Sequence, residues 1–348
     1  MLAEELAALG NEVRVVTQTL ETVKLDESPG GAGGFPDRMR FPFEILRCPS
    51  AVTLLKAVNW CDIFLHNNIS LQTAWPLAVL RKPWLIVHHT WISRPDGQRG
   101  WQDRLKQFVL RFGRSIAISQ AIADSLPVAS TMIRDPYDDH LFRETTGLAR
   151  SAELIFVGRL VSDKGVDLLI DALANLKREG LVPRLTVVGS GPEMSSLQAQ
   201  AQEREVRAQI TFAGPKTGRD LAELLNQHQI LVVPSRWREP FGLVALEGIA
   251  CGCVVVGSSG GGLREAIGPC GVTFPNGDLP GLAAALSGLL RCPEKLDDYR
   301  RHASKHLAPH RRKTVAQAYW NVMEAAVHEA HPAGEPSARA VPAWKSEP

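Results

Sequence analysis

The sequence predicts an α/β protein built from two tandem Rossmann-like domains. Short, nearly continuous apolar segments alternate with helical patterns along most of the chain, which is typical of parallel sheets covered on both faces. This alternation occurs twice, and a polar stretch without helical periodicity separates the two series. The length of 348 residues also corresponds to about two domains.

The first half of the chain contains five predicted strands. They are preceded by MLAEELAALG, an amphipathic helix without the basic start of a signal peptide. Helical patterns are predicted at 70–80 and 101–112. We therefore expect an N-terminal domain over residues 1–138. Its predicted strands are EVRVVT (12–17), DIFLHN (62–67), WLIVHH (84–89), SIAIS (115–119) and STMIRD (130–135).

The second half repeats the pattern with six strands. A linker at 139–150 leads into a C-terminal domain over 151–308. A C-terminal helix at 309–327 is expected to pack back on the N-terminal domain, and 328–348 is predicted to be a disordered tail. The glycine-rich stretch at 27–38 is predicted to be a mobile surface loop. The six strands are AELIFVG (152–158), RLTVVG (184–189), QITFAG (209–214), QILVVPS (229–235), CVVVGS (253–258) and GVTF (271–274).

Composition excludes several classes of protein. With 45% hydrophobic and 22% charged residues the chain has globular composition, and a formal net charge of +2 gives no reason to expect nucleic acid. Six scattered cysteines form neither a Cys-x-x-Cys pair nor a disulfide framework, which favours reduced thiols in the cytoplasm. No apolar run reaches the roughly 18 residues of a membrane span.

Candidate binding residues follow the predicted strands, where ligands bind in such sheets. Arg159 and Lys164 lie on one loop after AELIFVG, and two cations there suit a pyrophosphate. A solvated helix start is the alternative. The glycines at 260–262 follow CVVVGS; they allow close backbone approach, and their amides can face an anion. An ordinary loop is the alternative there.

Two glutamates frame the stretch EPFGLVALE after the strand QILVVPS. Pro240 and Gly242 interrupt regular structure, so Glu239 is predicted on a loop and Glu247 inside the following helix. The amino end of that helix favours phosphate. Glu239 could then accept from sugar hydroxyls and Glu247 from a ribose diol. For either glutamate alone, a helix-start charge or a salt bridge is the alternative.

Four motifs in order give a resemblance to a known family. FVGRLVSDKGVDLLIDAL, VVGSGPE, EPFGLVALEGIACG and GGLREAI together resemble the retaining glycosyltransferases of family four, whose fold is GT-B, with two Rossmann-like domains facing a central cleft. The resemblance covers the C-terminal domain strongly and the N-terminal domain more loosely. It implies a nucleotide-diphosphate sugar as donor substrate, no cofactor and no metal, and transfer that retains the anomeric configuration.

The resemblance also assigns roles to residues. Arg159 and Lys164 match the pair that binds the diphosphate, while Glu239 matches the residue at the donor sugar and Glu247 the one at the ribose. The turn whose amides meet sugar and phosphate corresponds to Phe241, Gly242 and Leu243.

On the N-terminal side, the strand WLIVHH ends in two histidines. By its spacing from Pro83, His89 rather than His88 matches the family's cleft histidine, so Glu239 and His89 are the predicted catalytic residues. A structural role for the histidine stays open. Ser119 resembles an acceptor-side position.

Two other functions remain open. Paired carboxylates also serve glycoside hydrolases, although that reaction leaves Arg159, Lys164 and the glycines at 260–262 without a role. A GT-B protein that binds sugar nucleotides without turnover is the second alternative. The acceptor is undetermined among glycans, lipid-linked saccharides and small molecules.

The helical segment near 91–114 mixes basic and aromatic residues. This pattern predicts attraction to anionic lipid at the inner face of the membrane, or else a solvated helix whose apolar side belongs to the core. Its basic residues are Arg94, Arg99, Arg104, Lys106, Arg111 and Arg114, and its aromatic residues include Trp91, Trp101 and Phe108.

Family members ordinarily begin with an apolar strand and a glycine-rich loop, whereas this sequence opens at the helix that follows them. The resemblance therefore predicts a start site placed too far downstream, or else a truncated N-terminal domain with weak transferase activity.

Overall fold

A computed structural model describes residues 1–18, 41–92, 100–145, 147 and 150–330. The predicted loop at 27–38, the tail beyond 330, Arg94 and Arg99 lie outside the described residues. The described chain forms two compact units. The first contains Met1–His88, Ile92–Ile116 and the described part of Val315–Pro348, and the second contains His89–Trp91 and Ala117–Thr314.

All eleven predicted strands are present, and one further strand, β2, was not predicted. The strands are β1 (Arg14–Thr17), β2 (Glu44–Arg47), β3 (Phe64–Asn67), β4 (Trp84–His88), β5 (Arg114–Ala117), β6 (Ser130–Met132), β7 (Ala152–Val157), β8 (Leu185–Val188), β9 (Ile210–Gly214), β10 (His228–Val233), β11 (Val254–Ser258) and β12 (Gly271–Phe274).

Helices connect most of these strands, as the alternation in the sequence predicts. They are α1 (Leu2–Ala8), α2 (Ala51–Trp60), α3 (Leu71–Ala74), α4 (Trp101–Val109), α5 (Gln120–Ser125), α6 (Val166–Arg178), α7 (Met194–Glu203), α8 (Gly218–Gln227), α9 (Leu243–Ala250), α10 (Leu263–Ile267), α11 (Leu279–Arg291), α12 (Glu294–Arg300), α13 (Ala303–Leu307) and α14 (Arg312–Ala330).

The first unit contains parallel strand pairs. β1 pairs with β2, and β3 pairs with β4 in the register Phe64↔Trp84. The indole of Trp84 donates to Nδ1 of His66 over 3.0 Å, so the other ring nitrogen donates to the Thr73 hydroxyl at 2.7 Å. Burial lowers the pKa of His66 to about 4. His66 is therefore a neutral core side chain at physiological pH.

The second unit is built around a six-stranded parallel sheet in the order β12-β11-β10-β7-β8-β9. The direction in which strands are added reverses between β7 and β10, which pair in the register Ile230↔Leu154. Ligands of doubly wound sheets bind outside the carboxyl ends of the strands at such a switch point. The loops that follow β7 and β10 are therefore expected to form the ligand-binding site.

Glycines of the predicted motifs allow elements of this unit to pack closely. A Cβ on Gly189 would lie 1.8 Å from the carbonyl oxygen of Gly158, and one on Gly191 would lie 2.2 Å from that of Leu160. A Cβ on Gly248 of α9 would lie 2.5 Å from a methyl group of Leu231 in β10. The loop after β8 and helix α9 can approach their neighbours only because these positions lack side chains.

The cysteines are reduced, and the helices of the described chain are those of a protein without a membrane-spanning segment among them. All six cysteines lie within the described residues and are free thiols. Burial raises the pKa of both Cys251 and Cys253 to about 12, so these thiols are unreactive. In the part of the chain that the structure describes, no helix is long and apolar enough to cross a membrane.

Candidate functional site

The loops after β7 and β10 are joined by backbone contacts. The carbonyl oxygen of Asp163 accepts from the amides of Arg236 (2.8 Å) and Trp237 (3.2 Å). Gly165 has φ +70°, and a Cβ on it would lie 2.1 Å from the carbonyl oxygen of Pro234. The main chains of the two loops at the switch point are therefore in direct contact. Predicted donor-site residues such as Lys164 and Glu239 lie on these loops.

Lys164 and Glu239 meet on this support. The ammonium group of Lys164 donates to Oε1 of Glu239 at 2.6 Å, and the hydroxyl of Ser235 donates to the same oxygen at 2.6 Å. Both charged side chains are largely buried, with 22% of the lysine and 12% of the glutamate exposed. A carboxylate that accepts two short hydrogen bonds is firmly oriented. Sequence reasoning selected both charges but overlooked Ser235.

Arg159 lies on the same loop as Lys164, one residue beyond Gly158. Its side chain is exposed, and it forms no ion pair with any of the described residues. It is therefore a cation at the carboxyl end of β7 that is available to an anion. The structure thus brings one charge of the predicted pair into contact with Glu239 and leaves the other exposed.

The turn between the two glutamates ends at the amino end of helix α9. Gly242 precedes the helix with φ +111° and ψ +60°, and no side chain caps its first amides. Phe241 is buried with its ring 5.5 Å from that of His310, whereas Leu243 is exposed. The buried phenyl ring anchors the turn, and the uncapped amides carry the partial positive charge of a helix start.

Glu247 lies in the second turn of α9 and is only partly exposed. Burial and, to a smaller extent, the nearby Asp138 carboxylate raise its pKa from 4.5 to about 7. This side chain makes no hydrogen bond to the described residues. A carboxyl group with a raised pKa in a partly enclosed position is a candidate for ligand contact.

The glycines at 260–262 contact the Glu239 loop directly. Gly261 bridges to Glu239, and the amide of Gly262 donates to the Glu239 carbonyl at 2.8 Å. A Cβ on Gly261 would lie 2.1 Å from that carbonyl oxygen. The amide of Gly260 donates to Asn276 at 2.7 Å. The amides of Gly260 and Gly262 are thus bonded within the protein, and these glycines position Glu239.

Asn276 is a supporting residue that the sequence did not reveal. Its side-chain amide donates to the carbonyl oxygens of Ser235 (3.0 Å), Arg236 (3.3 Å) and Trp237 (3.0 Å). Its carbonyl oxygen accepts from Gly260. A single asparagine after β12 therefore connects the loops that follow β10 and β11. No local sequence signal distinguishes it from a turn residue.

The two adjacent histidines have different surroundings. His88, at the end of β4, is 1% exposed, and its Nε2 lies 3.2 Å from the hydroxyl of Ser115. His89 is one-third exposed and pairs through Nδ1 with Asp135 at 3.0 Å. Asp135, which the sequence did not single out, fixes the imidazole orientation. Of the two side chains, that of His89 is the accessible one.

Ser119 is fully buried at the start of α5. Its hydroxyl accepts from the amide of Ile122 at 3.2 Å and donates to the carbonyl oxygen of Pro240 at 2.7 Å. The side chain therefore caps the helix and contacts the backbone of the Glu239 turn. Whether Ser119 also serves the acceptor stays a prediction.

All the predicted site residues lie in the second unit. Cations and helix-start amides can stabilise a diphosphate, and carboxylates can accept hydrogen bonds from sugar hydroxyls. Within the described ranges, no group of three or more His, Cys, Asp or Glu side chains is arranged to hold a metal ion.

Comparison with known families agrees with this arrangement. The family described as Glycosyl transferases group 1 matches residues 140–306, and Glycosyltransferase Family 4 matches residues 1–127. The chain belongs to the family-four glycosyltransferases. The predicted GT-B fold is confirmed, because solved structures of other glycosyltransferases superpose on most of this family member.

Individual relatives agree with the family assignment. The chain is 40% identical over 158 residues to a glycogen synthase of Mycobacterium tuberculosis, covering 45% of this chain but 38% of that relative. It is 29% identical over 349 residues to a D-inositol 3-phosphate glycosyltransferase of Frankia alni, covering 84% of each.

Two solved structures illustrate the fold. A sucrose-phosphate synthase from Thermosynechococcus elongatus superposes with a TM-score of 0.73 at 22% identity, covering 93% of this chain and 92% of its own. The Anabaena protein HepE in complex with UDP-glucose superposes with a TM-score of 0.69 at 20% identity, covering 82% and 86%.

Proposed function

We propose that this protein transfers a sugar from a nucleoside diphosphate sugar to an acceptor hydroxyl, with retention of the anomeric configuration and without a metal ion. The bond between the anomeric carbon and the diphosphate oxygen breaks, and the acceptor oxygen bonds to that carbon. The observation that supports this most directly is the meeting of Lys164 and Glu239 at the switch point, beside the uncapped start of α9.

The charges of the site suit a departing nucleoside diphosphate. Negative charge accumulates on the diphosphate as its bond to the sugar breaks. Arg159, Lys164 and the first amides of α9 all offer positive charge. Preorganised donors of this kind often supply the largest part of transition-state stabilisation. In this proposal they perform the role that a metal ion has in other transferases.

In this proposal the two glutamates contact different parts of the donor. Glu239, oriented by Ser235 and Lys164, accepts hydrogen bonds from the sugar and stabilises positive charge at the anomeric carbon. Glu247 accepts from the ribose hydroxyls. His89, oriented by Asp135, contacts the sugar or the acceptor near the reacting carbon. Phe241, Gly242 and Leu243 shape the turn that receives the phosphate.

Uridine nucleotides are the first donors to test. HepE and the pneumococcal O-GlcNAc transferase GtfA, both similar in fold, have been solved in complex with UDP. At 20% and 16% identity these neighbours share the fold alone, so the base and the sugar must be determined for this chain directly.

The proposal is tested by binding and product analysis with the full chain. We expect one nucleoside diphosphate to raise the unfolding temperature with and without a chelator, and the matching nucleotide sugar to give an α-linked product from an α-linked donor. An inverted product would contradict retention, and loss of activity with chelator would contradict metal independence.

Two other results would replace the proposal. Saturable nucleotide-sugar binding without transfer to any acceptor in a cell extract would indicate a non-catalytic binding protein. Hydrolysis of simple aryl glycosides without nucleotide would indicate a glycoside hydrolase. The cations at the end of β7 favour transfer over glycoside hydrolysis, because hydrolysis of a simple glycoside requires no compensation of a diphosphate.

A further inference from the structure

Helix α4 and the 3-10 turn after it expose a continuous apolar stripe. Trp101, Leu105, Phe108 and Phe112 are 72%, 40%, 53% and 70% exposed. Their spacing of four, three and four residues places them on one face of a helix. The rings of Phe108 and Phe112 lie 5.6 Å apart. Apolar residues of an ordinary surface helix face the core, yet these face solvent, and only Leu110 is a buried apolar residue of this segment.

Apart from one buried acid, the charged residues of this segment are cationic. Residues 101–114 contain Arg104, Lys106, Arg111 and Arg114 and a single acid, Asp103. That acid is 7% exposed, and its carboxylate accepts from the amide of Gly100 at 3.0 Å, where it completes the helix start. Arg114 pairs with Glu329. The other three cations form no ion pair with the described residues.

We propose that the apolar stripe of α4 and its flanking cations form a docking surface for a membrane that contains anionic lipid. The side chains of Trp101, Leu105, Phe108 and Phe112 would enter the interface between headgroups and acyl chains. Arg104, Lys106 and Arg111 would contact lipid phosphates. An interfacial helix requires this combination of large apolar side chains on one face and basic residues beside them.

A lipid surface fits these observations better than a protein partner. The stripe is a single row of four side chains, which is small beside the roughly 800 Å² per partner that a standard protein interface buries. Its flanks carry one sign of charge, which matches the uniform negative surface of a membrane with anionic lipid. Anionic headgroups offer uniform negative charge, and the acyl boundary accepts aromatic rings in many orientations.

This inference goes beyond the proposed transfer reaction and does not depend on it. Lipid docking uses residues of the first unit, while every proposed donor-site residue lies in the second. Vesicle binding can therefore succeed or fail whether or not the chain transfers a sugar.

The test is co-sedimentation of the full chain with vesicles of phosphatidylcholine alone or mixed with phosphatidylglycerol. We expect binding to the mixed vesicles that weakens as salt is added. Replacing both Phe108 and Phe112 with Ser should reduce binding to mixed vesicles by about ten-fold or more, because the two rings would no longer be buried in the lipid. The double variant Arg104→Glu with Arg111→Glu should bind mixed vesicles about ten-fold or more less tightly. Its binding to vesicles of phosphatidylcholine alone should not change.

Matched controls lie elsewhere on the surface. Val79 and Val182 are also exposed, at 71% and 62%, so their replacement with Ser tests general surface hydrophobicity. Lys216→Glu with Arg219→Glu reverses two exposed charges of the second unit. Both control variants should bind vesicles like the wild type. Circular dichroism and thermal unfolding establish that each variant is folded.

A second readout addresses insertion directly. Brominated lipids should quench the fluorescence of Trp101 if its side chain enters the membrane. The variant Trp101→Phe keeps an aromatic ring and should still bind vesicles, but this quenching should be absent. Equal vesicle binding by the wild type and both α4 variants would overturn the proposal. A concentration-dependent dimer that the Phe108 and Phe112 replacements abolish, without vesicle binding by the wild type, would overturn it in favour of contact between copies.

Discussion

The ammonium nitrogen of Lys164 lies 2.6 Å from Oε1 of Glu239. The cation proposed to meet a diphosphate and the carboxylate proposed to meet a sugar are thus paired with each other. In the proposed reaction, a donor molecule shares or replaces this contact. The pair orients both groups beforehand, which reduces the entropy lost on binding.

Lys164→Ala should weaken binding of the donor diphosphate by about 10- to 100-fold, which corresponds to roughly 1.4 to 2.8 kcal/mol. The variant removes a largely buried cation and leaves Glu239 without its charged partner. Isothermal titration with the nucleoside diphosphate measures the change. Lys177 forms a more exposed pair with Glu205, so Lys177→Ala should bind normally. Equal affinities in the two variants would remove Lys164 from the donor site.

The two glutamates should differ in steady-state kinetics. Glu247→Gln should mainly raise the KM for the donor, because it weakens an interaction present throughout the reaction. Glu239→Gln should mainly lower kcat, by about 100-fold or more, because charge stabilisation at the anomeric carbon is needed only in the transition state. Initial rates over a range of donor concentrations separate the two effects. The reverse pattern would exchange the proposed roles.

Donor affinity should depend on pH through Glu247, whose pKa is raised to about 7. The ionised carboxylate accepts from two ribose hydroxyls, whereas the protonated form has lost part of its accepting capacity. Between pH 6 and pH 8 the affinity for a nucleotide sugar should therefore rise by up to about ten-fold. A nucleotide sugar is the suitable ligand because its diphosphate diester does not titrate in this range.

The variants Glu247→Gln and Asp138→Asn provide the controls for this pH dependence. The first should abolish it, and the second should move its midpoint to lower pH, since the Asp138 charge contributes to the raised pKa of Glu247. The same shift affects folding. The pKa of Glu247 is higher in the folded protein than the unfolded value of 4.5. The contribution of this group to the free energy of unfolding is therefore full below about pH 4.5 and is lost as pH rises through 7. It amounts to at most about 3 kcal/mol. A pH profile of donor affinity that is unchanged in Glu247→Gln would refute the assignment of Glu247 to the ribose.

Gly165→Ala should disrupt the junction of the two loops at the switch point. Its positive φ disfavours alanine, and the new Cβ would collide with the Pro234 carbonyl oxygen, so we expect a loss of several kcal/mol in unfolding free energy. Gly180 has a similar φ of +80° but nothing within 4 Å of its Cβ position. Gly180→Ala should cost only about 1 kcal/mol. Similar unfolding temperatures for both variants would show that the close approach is unimportant.

His89→Ala should lower turnover and leave nucleoside diphosphate affinity unchanged, because the proposed contact is with sugar or acceptor. His88→Ala should instead lower the unfolding temperature, since His88 is buried beside Ser115. Kinetics and thermal unfolding of both variants distinguish these effects. If His88→Ala is folded normally yet inactive, His88 and not His89 is the histidine of the site.

Much of the fold could be predicted from the sequence because hydrophobic periodicity and glycine positions are local signals. Strands such as β7 and β10 consist of nearly continuous apolar residues, and this pattern predicts them directly. The strand β2 (Glu44–Arg47) was missed. It is only four residues long, and the two ends of this strand are exposed, so it has little hydrophobic signal to detect.

The supporting residues of the site were harder to predict for a different reason. Asp135 and Asn276 act on partners distant in sequence, and Ser235 acts on the side chain of Glu239 four residues later. Polar residues are common in loops, so none of the three stands out in the sequence. The exposed face of α4 was also ambiguous, because an amphipathic pattern does not tell whether the apolar side meets a core. Only the structure shows that Trp101 and Phe112 are exposed.

Asn276 limits how the donor site could be re-engineered. Its one side chain bonds to three successive carbonyl groups of the loop after β10 and to the amide of Gly260 in the loop after β11. An insertion or deletion in either loop would break hydrogen bonds of Asn276 and so displace the other loop as well. Attempts to change the sugar preference of this protein should therefore exchange side chains at constant loop length and leave the asparagine in place.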